Sequence, residues 1–136
     1  MITGVNHLTF SVRDLEESVR FYVEVLGLRS VSRKDEEAHL LAGDTWVALI
    51  PDPCVRDGVS TEYTHTAFSV SAKDFAALDR QIRKSGAEIW QENQTQGDSL
   101  YFLDPNGHKL EIHASNLEAR LESDRRNPPE GMEFYL

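Results

Sequence analysis

The chain is written twice. Asn6-His7-Leu8-Thr9-Phe10-Ser11-Val12 returns as Thr64-His65-Thr66-Ala67-Phe68-Ser69-Val70, so that His7 pairs with His65 and Phe-Ser-Val follows each at the same offset. A repeat of this kind demands that both copies be the same supersecondary unit. Neither copy, at roughly 55 residues, buries enough surface to be comfortable alone. Each needs a second such unit to pair with.

Each copy reads strand, helix, then three more strands. Residues 5–12 alternate, with Val5, His7, Thr9 and Ser11 on one face and Leu8, Phe10 and Val12 on the other. Asp14 is placed to cap a helix, with Glu17 three residues on, and Leu15, Val19, Tyr22 and Leu26 recur at helical spacing up to Gly27. Short strands are predicted at 28–34, 37–42 and 45–50. The second copy predicts a strand at 63–70, a cap at Ser71, a helix over 73–85, and strands at 87–91, 99–104 and 108–113. The turn Asp104-Pro105-Asn106-Gly107 joins the last two. The expected organisation is an α+β domain of two βαβββ units, 1–50 and 62–114. A linker at 51–61 joins them, and a helix and tail at 115–136 follow. Paired sheets of this kind give a mixed, curved surface with a concave face, into which His7 and His65 can point from pseudo-equivalent places.

Bulk properties limit the partners. With 136 residues the chain is one domain, and no apolar run approaches membrane-spanning length. A net charge of −9 repels nucleic acid and anionic membranes. The single cysteine, Cys54, forms no internal disulfide, and no secretory pattern opens the sequence, so a cytoplasmic location is expected.

Glu111 stands on the closing strand of the second copy. Leu110 and Ile112 face the other way, so Glu111 shares its face with Lys109 and His113. His7, His65 and Glu111 make a mixed N/O set suited to manganese, iron, nickel, cobalt or zinc with positions left open for substrate. A lone histidine on a strand is usually a surface or hydrogen-bonded residue. His39, His108 and His113 are read that way. The repeat lifts His7 and His65 above it.

Asn-His-Leu-Thr at 6–9, Gly-Asp-x-Trp at 43–46, Tyr-Thr-His at 63–65, the run 101–111, Leu-Glu-Ala-Arg-Leu at 117–121 and Gly131-Met132-x-Phe134 together resemble the fosfomycin-resistance enzymes of the vicinal-oxygen-chelate (glyoxalase-like) superfamily, thiol-transferase branch. The resemblance implies a homodimer with units paired between chains. Each metal site would draw His7 from one chain and His65 and Glu111 from the other. It implies a metal-dependent glutathione transferase that opens the epoxide of fosfomycin, with manganese as the usual ion. Thr9 would hydrogen-bond the developing alkoxide, Tyr101 and Arg120 would bind the phosphonate, and Trp46 and Tyr63 would wall the pocket. Gln91, Thr95 and Ser99 would also face substrate, and Asn93, Thr95, Gly97 and Ser99 would form a potassium loop.

The chain departs from that branch at two places. Gln91 follows Trp90 where the branch has Lys, and His39 stands where it has Tyr. Glu36 falls near the general base of the water-adding branch, which makes epoxide hydration an alternative. Action on another small phosphonate, or non-catalytic sequestration of a small molecule, are the remaining readings.

Overall fold

The computed structural model describes residues 1–94 and 96–135. Its elements follow the repeat. The first copy gives β1 (His7–Val12), α1 (Leu15–Arg20) continued by a π-helical turn (Phe21–Val25), β2 (Arg29–Lys34), β3 (Glu37–Ala42) and β4 (Thr45–Pro51). The second gives β5 (Thr66–Ser69), α2 (Ala72–Lys84), β6 (Ile89–Gln91), β7 (Ser99–Leu103) and β8 (Lys109–His113), before α3 (Leu117–Arg126). Each copy forms its own four-stranded sheet, ordered β1-β4-β3-β2 and β5-β8-β7-β6. In both, the first strand runs parallel to the last and the other pairs are antiparallel. No helix among the described residues is long and apolar enough to cross a membrane.

The helix starts are local chemistry. Asp14 accepts the N–H of Glu17, and Ser71 accepts that of Asp74, so each caps one orphan donor of the first turn. The first helix differs from the single helix to Leu26 that its periodicity predicts. After Arg20 it widens into a π turn, closed by the Leu26 N–H on the Phe21 carbonyl. The wider turn lets two consecutive rings, Phe21 and Tyr22, both bury. It leaves carbonyls at its end, and Gln81 of α2 donates to those of Glu24 and Val25. The strand predicted at 63–70 is shorter, because the His65 ring turns back to the Tyr63 carbonyl and the ladder begins at Thr66.

Both sheets turn an apolar face to one shared core, built from Phe10, Val12, Leu40, Val47 and Leu49 of the first copy and Ile82, Leu100, Phe102, Leu110 and Ile112 of the second. A buried polar network locks the copies together. Asp104 accepts the Tyr22 hydroxyl at 2.7 Å, and Asn106 accepts the Arg13 N–H at 2.8 Å while donating to Ser18 at 3.0 Å. Burial first, then the charge and hydrogen bond of Asp104, hold the Tyr22 hydroxyl well above its ordinary pKa. The turn also fastens the linker. Gly107 sits at φ +82°, and a Cβ there would lie 2.0 Å from the Gly58 carbonyl oxygen, so only glycine allows the linker to pass.

Candidate metal centre

His65 and Glu111 meet on the side of the second sheet away from the apolar core. The His65 Nε2 lies 3.0 Å from Glu111 Oε1, while its Nδ1 faces the Tyr63 carbonyl at 2.9 Å. Both ring nitrogens thus face oxygen acceptors, yet a neutral imidazole carries one N–H. With the proton on Nδ1, the Nε2 and Oε1 lone pairs point at each other, which is an arrangement a cation resolves. Glu111 is buried, and its second oxygen accepts the Ser99 hydroxyl at 2.7 Å. Ser99 also contacts His113 Nδ1 at 2.5 Å. A hydroxyl that donates to Glu111 must accept from His113, so this chain of contacts fixes the carboxylate's orientation.

The pair lies in an aromatic cage. Tyr63, Trp90 and Tyr101 all stand edge-on to the His65 ring, with centroids 5.1, 5.3 and 5.9 Å away. Gln91 donates to the Tyr63 hydroxyl at 2.9 Å, and the Lys109 Nζ lies 5.0 Å over the Trp90 ring.

His7 occupies the matching place on the first sheet. Its Nδ1 is 2.8 Å from Asn6 Oδ1, which leaves Nε2 free, and its ring stacks on Trp46 at 4.3 Å. Thr9 follows on the same exposed face. Among the described residues no group of three or more His, Cys, Asp or Glu converges on one point. Within one chain the expected ligands therefore fall into two groups, His65–Glu111 at one sheet and His7 on the other. The donor chemistry of both groups fits a divalent ion: two imidazoles with Nδ1 engaged, and one anchored carboxylate.

The sequence pattern of the Glyoxalase/Bleomycin resistance protein/Dioxygenase superfamily matches residues 4–112. The glutathione transferase FosA of Serratia marcescens is 44% identical, over 98% of this chain and 96% of its own length. The metallothiol transferase FosB of Shouchella clausii is 34% identical, over 96% of this chain and 92% of its own. Among solved structures, the fosfomycin resistance protein FosX from Listeria monocytogenes, complexed with Mn(II) and sulfate, superposes with a TM-score of 0.80 at 26% identity, over 90% of this chain and 98% of that one. The chain belongs to the fosfomycin-resistance enzymes of the glyoxalase superfamily.

The other expected site residues of this fosfomycin-resistance chain fall at varied distances from the pair. Asn93 and Gly97 are joined by a 2.9 Å hydrogen bond from the Asn93 amide to the Gly97 carbonyl. Ser99 is tied to Glu111, and Thr95 lies outside the described residues. Arg120 is on α3, where its Nε lies 3.6 Å from Asp124. Glu36 occupies the exposed turn between β2 and β3. Two members of the site escaped the sequence reading. Trp90 completes the cage, and His113, read as an ordinary surface histidine, braces Ser99.

Proposed function

We propose that this chain is a metal-dependent transferase that opens the epoxide of fosfomycin by adding a thiol, glutathione first among them. The observation that carries the reading is the His65–Glu111 pair, braced by Ser99 and caged by Tyr63, Trp90 and Tyr101. The 44% identity to a glutathione transferase over nearly the whole chain supports the choice of thiol.

The complete centre needs two chains, His7 from one and His65 with Glu111 from the other, which makes the active form a homodimer. A bound divalent ion, manganese in first place, supplies Lewis acidity toward the epoxide and phosphonate oxygens. The protein's own groups do the rest. Thr9, beside His7 on β1, donates to the oxygen on which charge develops. Tyr101, Arg120 and Gln91 hold the phosphonate, for which the forked guanidinium is best suited, while the Ser99 hydroxyl stays committed to Glu111. Trp46 and Tyr63 wall the pocket. A monovalent cation, potassium, would be held by the 93–99 loop through Asn93, Gly97 and Ser99, and would add positive charge where Gln91 provides none.

The test is a matrix. Fosfomycin is incubated with manganese, nickel or zinc and with glutathione, cysteine or water, and products are read by phosphorus NMR. A thiol adduct formed only with metal supports the proposal. A diol formed without thiol, and lost in Glu36→Gln, would replace it with hydration. No product under any condition would point to another phosphonate or to simple sequestration.

A further inference from the structure

Trp46 is held from two sides. On one it lies across the His7 imidazole, centroids 4.3 Å apart and planes 30° apart. On the other its indole N–H donates to His39 Nδ1 at 2.9 Å. The far nitrogen of His39, Nε2, lies 3.4 Å from Glu37 Oε1. Strand register builds this row. His7 is the partner of Trp46 across the parallel β1–β4 pair, and Leu41 is its partner across β3–β4, which sets His39 diagonally opposite on the same face.

The protons in the row have one arrangement. An indole N–H only donates, so His39 Nδ1 must accept and its own proton resides on Nε2, toward Glu37. A half-exposed indole without an acceptor would sample other rotamers. With one, its ring plane is fixed over His7. Asn6 sets the tautomer and spin of the His7 ring through Nδ1, and Trp46 sets its tilt. We propose that His39 is a positioning residue: by holding the Trp46 indole it pre-orients the His7 imidazole, and hence the direction of its Nε2. This rests on the reading of His7 as a metal ligand.

Three variants separate the atoms. His39→Asn keeps an acceptor near the Nδ1 position, whereas His39→Phe and His39→Leu remove it with two different shapes. The first readout uses metal-free protein. The chain has two tryptophans, and Trp46→Phe assigns the Trp46 indole N–H in a proton–nitrogen NMR spectrum. That proton should exchange with water about tenfold faster in His39→Phe and His39→Leu than in wild type or His39→Asn, with melting temperatures confirming folded protein. The second readout is Mn(II) affinity, followed by the paramagnetic resonance of free Mn(II). Removing a group bonded directly to a metal ligand weakens binding by tenfold or more, so a brace one step further out should cost about fivefold in the Phe and Leu variants and less than about twofold in Asn. Faster indole exchange with unchanged Mn(II) affinity would overturn the proposal, as would an Asn variant as weak as Phe. His7→Ala is the control. If it loses Mn(II) while His39→Phe does not, this inference alone fails. If it binds Mn(II) like wild type, the ligand assignment fails and takes the inference with it.

Discussion

Replacing Tyr22 by Phe removes one oxygen from the network that joins the two copies, and both its cost and its pH dependence follow from the structure. The hydroxyl donates at 2.7 Å to Asp104 Oδ2 with neither side chain open to solvent, while Asp104 Oδ1 keeps the N–H groups of Asn106 and His108 at 2.8 and 2.9 Å. Loss of a hydrogen bond to a charged, buried acceptor costs roughly 1.5–3 kcal/mol, so about 2 kcal/mol is expected at pH 8. For a chain of this size that is a fall of about 6–8 °C in Tm. The alkaline limb gives a second check. Burial, then Asp104, raise the Tyr22 pKa well above its usual value of about 10. The folded state therefore keeps this proton where the unfolded state releases it. The associated stability is complete below about pH 10 and declines as pH rises from there. By pH 11 the unfolded wild type gains about 1.4 kcal/mol from ionising this group, and the Phe variant gains nothing. The stability gap should thus shrink from about 2 kcal/mol at pH 8 to about 0.6 kcal/mol at pH 11. Urea unfolding followed by tryptophan fluorescence, at matched protein concentration, measures it. A gap that stays constant from pH 8 to pH 11 would refute the reasoning.

Other outcomes test the proposed centre. His65→Ala should strip the divalent metal at neutral pH and abolish turnover, and unchanged metal content by elemental analysis would sink the ligand assignment. Mixed His7→Ala and Glu111→Ala proteins, after subunit exchange, should regain part of the wild-type activity, since each mixed dimer then carries one intact centre; exchange without recovery counts against a centre shared between chains. The thiol reaction should run faster in potassium than in sodium buffer, measured by initial rates at equal ionic strength. Gln91→Lys should lower KM for fosfomycin about tenfold, the worth of a charge-assisted bond over a neutral one, and a neutral or harmful effect would place the phosphonate elsewhere.

Much of the fold could be read from the chain because its signals are local and doubled. Strand alternation marks β1 to within two residues, β3 is found at 37–42 as expected, and the caps at Asp14 and Ser71 announce the helices that follow. Where the reading failed, the cause was not local. A π turn inserts a residue without disturbing the run of apolar positions, so the pattern at Leu15, Val19, Tyr22 and Leu26 is silent about it. The turn goes with the burial of both Phe21 and Tyr22 in one core, and the Tyr22 hydroxyl finds its partner in Asp104, far along the chain. The early end of β5 is similar in kind, since it depends on a ring nitrogen of His65 reaching back to Tyr63.

The site divides along the same line. His7, His65 and Glu111 stand out because the repeat and the face of β8 single them out. Trp90 and His113 have no such mark, yet one of them was within reach. The turn at 104–107 sets the β7–β8 register, and that register places Ser99 opposite His113 and Tyr101 opposite Glu111. Counting outward from the turn would have put a hydroxyl and an imidazole on the same face as the carboxylate, which is the arrangement that fixes a ligand's orientation. What no count along one chain can supply is the proposed meeting of His7 with the other pair. Each sheet gives its apolar face to the shared core, so the faces that carry His7 and Glu111 point away from it. The repeat makes His7 and His65 equivalent, and for that very reason it sets them on separate sheets rather than side by side.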